Sequence, residues 1–151
     1  MKLAQIVKVA YQESKKALNK NEVPVGAVVF DDKKIISKAH NLVEQNNDPL
    51  AHAEILAIKK AAKRLKTKNL KGLRIYSSLE PCIFCSYAIS KYFISAIYFG
   101  LYDNSNFGDK NGVKLFYENF KGYKPEVYGG IGEDKFSKLF EYFFENLRKK
   151  D

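Results

Sequence analysis

A chain of 151 residues, 46% hydrophobic and 28% charged, has the length and balance of one ordinary globular domain with a single sizeable core. Its 26 basic and 17 acidic residues leave a net charge of +9, which favours polyanionic partners, nucleic acid first, although a merely basic soluble enzyme has the same balance. No apolar run reaches the roughly 18 residues of a membrane span, and charges at Lys8 and Glu13 argue against a secretory signal, so a cytoplasmic protein with no membrane partner is expected.

Leu3, Ile6, Val7, Ala10, Ala17 and Leu18 recur at helical spacing and predict an amphipathic helix over 3–18, ended by the polar stretch 19–21. Residues 23–30 (VPVGAVVF) are a nearly continuous apolar run and predict a strand buried on both faces. Pro24 falls near its start, where a missing N–H does least harm. A turn at 31–34 and a second strand at 34–40 complete a hairpin. The polar stretch 41–48 has no periodicity and is expected as a loop. Pro49 then precedes a helix over 50–65, with Ile55, Ile58, Ala62 and Leu65 along one face. A loop at 67–72 leads to a strand at 73–77. Pro81 opens a third helix, running to about Lys91 and carrying both cysteines. Residues 96–99 predict a strand closed by Gly100. After it come a loop over 101–112, a short helix at 113–119 and a strand at 126–128. Phe136, Leu139, Phe140, Phe143, Phe144 and Leu147 mark one face of a closing helix. Helices interleaved among strands argue for an α/β domain spanning 1–151, three layers (α/β/α) around one central mixed five-stranded sheet.

Nearly all the soft metal-binding capacity lies in two segments. Residues 48–55 (DPLAHAEI) hold His52 and Glu54, and residues 79–85 (LEPCIFC) hold Cys82 and Cys85. Two cysteines three apart cannot staple a fold and suit metal binding or redox chemistry. Zinc takes His nitrogen and Cys sulfur, and a catalytic zinc keeps three protein ligands with a fourth position for water. Cysteines three apart at a helix start present their sulfurs to one side, where the positive helix end favours thiolate. His52 and Glu54 would stand about 200° apart on a regular helix. They can meet at one metal only in an irregular first turn, which leaves Glu54 free to carry protons. A lone CxxC also fits a redox pair. A closed structural zinc would need a fourth ligand, for which His40 is the only unused soft side chain, at no zinc-finger spacing from His52.

With both motifs the sequence resembles the zinc-dependent nucleobase deaminases, whose HxE…PCxxC pattern it carries, and among them the bacterial tRNA-specific adenosine deaminases. The resemblance rests on residues 22–28 (EVPVGAV), Asn41, 48–55, 78–85 (SLEPCIFC), and Phe143-Phe144 followed by Arg148. It implies a cytidine deaminase-like fold and one zinc ion (Zn2+) per subunit held by His52, Cys82 and Cys85, with Glu54 as general acid/base. It further implies that Asn41 hydrogen-bonds the flipped base and that Val25, Ala53 and Leu79 line the base pocket. Asp103 would touch the nucleotide sugar and Phe144 would help close the site. The implied activity is hydrolytic deamination of adenosine to inosine in the anticodon arm of a tRNA, at the wobble position of an arginine tRNA, by a homodimer.

The chain departs from the family pattern at 101–109 and at 123–125 (YKP), both in segments that contribute to RNA binding in the family. The alternative is therefore a deaminase of a free nucleobase or nucleoside, such as guanine, cytosine or a related heterocycle. A non-catalytic RNA-binding relative is a further reading. Between Glu54 and Glu80 stand eight basic residues and no acidic one, and 148–150 is a second basic cluster. A tRNA enzyme has a use for such patches; a solvated helix face also accounts for them.

Overall fold

The computed structural model describes residues 1–103 and 112–150. In chain order it contains α1 (Leu3–Asn19), β1 (Gly26–Phe30), β2 (Ile35–His40), α2 (Ala53–Leu65), β3 (Arg74–Leu79), α3 (Ile83–Lys91), β4 (Ala96–Leu101), a short 3-10 helix (Val113–Tyr117), β5 (Glu126–Tyr128) and α4 (Glu133–Lys150). The strands form one sheet in the order β2-β1-β3-β4-β5. β1 pairs antiparallel with β2 and β3, while β3, β4 and β5 run parallel, so the sheet is mixed as expected.

The alternation of each strand divides the core between the two faces. Ala27 and Val29 of β1 pack with Ile75, Ile97 and Phe99 against Ala57, Ile58 and Ala61 of α2 and Ile89 of α3. Val28 and Phe30 point the other way, with Tyr76, against Ile6, Val7 and Ala10 of α1 and Phe136 of α4. Period-two strands buried on both faces therefore need a helix layer on each side. The result is the α/β/α sandwich that the element order implied.

Several boundaries differ from the expected ones. β1 begins at Gly26, not at residue 23. Pro24 offers no N–H, and the Val25 N–H turns back to the Val23 carbonyl (2.7 Å), so no ladder forms there. β3 starts one residue later and runs two residues further than the 73–77 expectation, and β4 runs through Gly100 to Leu101. α2 begins at Ala53 rather than 50, and α3 at Ile83 rather than at Pro81. The closing helix carries its apolar stripe, but only its first part is covered. Phe136 is fully buried, whereas Phe144 and Leu147 are 46% and 43% exposed. Of the loop expected over 101–112, residues 104–111 lie outside the described residues, and with them most of the first departure from the family pattern.

Gly26 is required where β1 meets α1. A Cβ there would collide with the Ala10 carbonyl oxygen and come within 2.9 Å of Glu13 Cβ and Ser14 N. The Gly26 N–H also donates to Ser78 Oγ at 3.0 Å. We expect Gly26→Ala to cost about 3 kcal/mol in a denaturant titration, because the helix must lift off the sheet to admit the methyl group.

The same helix carries a buried charge. Glu13 is 4% exposed and is gripped by Lys16 Nζ (2.7 Å) and His40 Nδ1 (3.2 Å). His40 Nε2 lies 3.0 Å from Lys20 Nζ. A lysine ammonium only donates, so Nε2 accepts and Nδ1 carries the proton that it gives to Glu13. Burial alone would raise the Glu13 carboxyl, but the hydrogen bonds from Lys16 and His40, with the Lys16 charge, outweigh it and hold the group below its ordinary value. A depressed carboxyl stabilises the fold above the unfolded-state value and loses that contribution as pH falls through the folded-state value. The stability gap between wild type and Glu13→Gln should therefore be widest near neutrality and narrow in acid, as denaturant titrations across pH will show.

Candidate active site

The two motifs meet because each puts its first ligand at a helix N-terminus. His52 is the N-cap of α2 and Cys82 the N-cap of α3, both with extended backbone (φ −73°, ψ 148° and φ −68°, ψ 175°). Cys85 follows in the first turn of α3. His52 thus precedes the helix instead of lying in its first turn. That removes the 200° conflict with Glu54, since only Glu54 is bound by helical geometry. Both positive helix ends converge on the three ligands, an arrangement that stabilises thiolate.

His52 Nδ1 lies 3.5 Å from Cys82 Sγ and 3.4 Å from Cys85 Sγ, and the three ligand atoms fall within 4.8 Å of one another. Zinc bonds of about 2.0 Å to nitrogen and 2.3 Å to sulfur at tetrahedral angles separate N from S by about 3.5 Å. The residues therefore fit one zinc ion with a fourth position left over. Cys82 and Cys85 divide their protons unequally. The Cys85 thiol hydrogen-bonds the Cys82 sulfur and, with help from His52, brings Cys82 down to about 4 despite its burial. The same hydrogen bond, with burial and the Glu54 charge, pushes Cys85 well up.

Glu54 is 4% exposed and sits beside this cluster. Burial pushes its carboxyl up to about 7, with Cys82 adding to the rise while His52 and a hydrogen bond with Cys85 pull it down. A carboxyl held near neutrality can both take and return a proton.

Above the cluster opens a cavity of about 820 Å³. His52, Glu54 and Cys82 form its floor, while Cys85 is buried beneath it and takes no part in the lining. The other residues singled out in the sequence, Asn41, Val25, Ala53, Leu79, Asp103 and Phe144, all line this one cavity. Asn41 is held by its N–H to the Val25 carbonyl (3.1 Å), and the Asp103 N–H donates to Glu80 Oε1 (3.1 Å). Sequence reasoning missed several neighbours. Tyr142, Phe143 and Leu147 of α4 line the cavity, as do the carboxylates Glu22, Glu44 and Glu80. Glu22 stood in the EVPVGAV stretch, but nothing in its spacing shows a carboxylate that is 1% exposed.

The basic cluster on α2 lies elsewhere. The site is at the N-terminus of α2, and its last turn is about 18 Å further along the axis. Lys60 and Arg64 donate to the carbonyls of Lys38 (3.3 Å) and Ile36 (2.8 Å) on the edge strand β2, and Arg74 pairs with Asp32 (2.5 Å) over the Phe30 ring. Three of the eight cations thus serve the fold, two of them by covering a sheet edge. No lysine or arginine lines the cavity among the described residues. Arg148 and Lys149 directly follow its last lining residue, Leu147. The second departure, 123–125, is built into the flank of α3: Tyr123 packs edge-on to Phe93 (5.8 Å), and its carbonyl accepts from Ser90 Oγ (2.7 Å).

Fold and ligand set together define a class. Residues 1–101 match the cytidine and deoxycytidylate deaminase zinc-binding region, and the chain belongs to that family of zinc-dependent hydrolytic deaminases. It is 44% identical to the tRNA-specific adenosine deaminase of Aquifex aeolicus (strain VF5) over 143 residues, 94% of this chain and 93% of the other. A solved structure from a study of A-to-I editing by tRNA:A34 deaminases at the wobble position superposes with a TM-score of 0.84 at 33% identity, covering 90% of this chain and 99% of that one. The guanine deaminase of Bacillus subtilis is further away in structure, with a TM-score of 0.67 at 32% identity over 76% of this chain and 75% of that one. Within the family the chain stands with the tRNA-specific adenosine deaminases.

Proposed function

We propose that this chain deaminates adenosine to inosine in tRNA, at the wobble position within the anticodon arm of an arginine tRNA. The observation that carries the chemistry is the juxtaposition of His52, Cys82 and Cys85 with the buried Glu54 on the floor of one cavity. The similarity to tRNA-specific adenosine deaminases along nearly the whole chain supports the substrate.

His52, Cys82 and Cys85 would hold a zinc ion, which would supply Lewis acidity and lower the pKa of a water molecule in the cavity. Glu54 is the proton carrier: its carboxylate takes a proton from water and passes it to a ring nitrogen, and hydroxide adds to the ring carbon bearing the amine. Glu54 then takes the proton of the new hydroxyl and gives it to the amine, so that the C–N bond breaks, ammonia leaves and the ring keeps a carbonyl. Each transfer needs a group within reach of both partners, which the place of Glu54 beside the three ligands provides, and burial shifts its carboxyl upward. Val25, Ala53 and Leu79 offer apolar walls to the base, and the Asn41 amide reads its edge. Asp103 and the half-exposed Phe144 stand where a sugar and the neck of a flipped nucleotide would pass. Arg148 and Lys149 supply cations for the flanking phosphates, so binding should weaken steeply with salt.

The enzyme acts as a single domain and as a homodimer. Exposed Leu50, Phe84 and Tyr87 (54%, 60% and 47%) close to the metal ligands support an apolar contact with a second copy. No helix among the described residues is long and apolar enough to cross a membrane. Cysteines kept as metal ligands suit a reducing compartment, in keeping with a cytoplasmic enzyme. The test is incubation with total unmodified tRNA, followed by sequencing for A-to-I changes. Inosine confined to the wobble position of an arginine tRNA supports the full reading; inosine elsewhere revises the tRNA assigned.

A further inference from the structure

We propose that Glu22 is a positioning residue, a carboxylate clamp that fixes the wall of the cavity facing the metal site and so sets how tightly substrate is held. The proposal rests on the deaminase reading of that cavity.

Glu22 follows Asn21, whose left-handed backbone (φ 60°) turns the chain at the end of α1, and the Glu22 N–H closes back on the Ala17 carbonyl (3.0 Å). The turn sends the side chain inward, where it is 1% exposed. Both carboxylate oxygens are engaged by backbone: Oε1 accepts from the Glu44 N–H and Oε2 from the Gln45 N–H, each at 2.9 Å. Burying a carboxylate costs several kcal/mol unless charge-assisted hydrogen bonds compensate it. Two successive N–H groups aimed at the two oxygens do this with no ion pair to Glu22 among the described residues.

The segment that receives the clamp is otherwise bonded largely to itself. The Asn46 N–H reaches Leu42 (2.9 Å) and the Asp48 N–H reaches Val43 (3.0 Å). Its two ends are tied down by Asn41 to Val25 and by Leu42 to Ala51 (3.0 Å). Between those ends lie Val43 and Glu44, both in the cavity wall. Glu22 thus anchors the middle of the wall to the end of α1. Its two carboxylate hydrogen bonds go to backbone N–H groups of the wall and not to the metal ligands, so loosening it should impair the capture of substrate and leave the chemical step alone.

The test compares wild type with Glu22→Gln and Glu22→Asp. Gln keeps the shape but turns one end into a donor facing a donor. Asp keeps the charge but loses the reach. Hydrogen exchange should quicken at the Glu44 and Gln45 amides in both variants while α1 and β1 stay protected, and zinc content should be unchanged. KM should rise about tenfold with kcat within about threefold of wild type. Kinetics are run on a stem-loop RNA with an adenosine at the wobble position, or on the free base that wild type turns over if it leaves that RNA untouched. Failure of wild type on RNA thus counts against the assigned substrate and not against the clamp. Unchanged exchange at those two amides, or faster exchange with an unchanged KM, overturns the proposal, as does a fall in kcat with KM unmoved.

Discussion

Glu54→Gln is expected to bind zinc as the wild type does and to lose at least about 10³-fold in kcat. The side chain is buried on the cavity floor, and burial holds its carboxyl at about 7. A positioned acid/base of matched pKa contributes about 10² to 10⁴ in rate, and here one group serves successive transfers. Gln has nearly the same volume and hydrogen-bonding reach but cannot change its protonation state. His52, Cys82 and Cys85 hold the metal without Glu54, so metal analysis should still find one zinc per chain. Metal loss together with activity loss would make Glu54 a ligand; retained turnover would remove it from the chemistry.

Removing a ligand should be as damaging by a different route. Cys85 is fully buried beneath the cavity, so Cys85→Ala leaves the binding surface intact while taking one of three metal bonds. We expect zinc to be lost and turnover to fall to background. Chelation of the wild-type enzyme should lower its Tm by about 5–10 °C. Ligand at a hundredfold its Kd adds about 2.7 kcal/mol, and each kcal/mol moves Tm by about 2–4 °C at this size. Rebinding should also release protons unequally. Cys82, at about 4, is already thiolate near neutrality, whereas Cys85, pushed well up, still holds its proton. Of the two thiols, Cys85 should therefore be the one that gives up a proton when zinc binds near neutrality. Calorimetry in buffers of differing ionisation enthalpy, on wild type and on Cys85→Ala, reads that contribution as the difference between the two.

What the sequence made legible follows from the physics of each feature. Periodicity located the helices and strands, because core burial on a sheet with two covered faces dictates both patterns. It placed their ends less well. Pro24 and the inward turn of Val25 shorten β1, and extended backbone at His52 and Cys82 shortens α2 and α3. Those two shortenings matter most for function, since they put both ligands at N-caps. Motif spacing revealed which side chains could share a metal. It was silent on Glu22, whose partners are backbone N–H groups some twenty residues away. Charge distribution singled out the eight cations on and after α2, three of which are taken up by β2, Asp32 and the Phe30 ring. Charge counted along a chain does not reveal which end of a helix faces the site.

The most direct test of the account is to incubate the zinc-loaded protein with a synthetic anticodon stem-loop carrying one adenosine at the wobble position, in parallel with free guanine and cytosine. Inosine and ammonia should form together in equal amounts from the RNA, with neither produced by Glu54→Gln and none from the free bases. An untouched stem-loop alongside ammonia from guanine or cytosine would contradict the account.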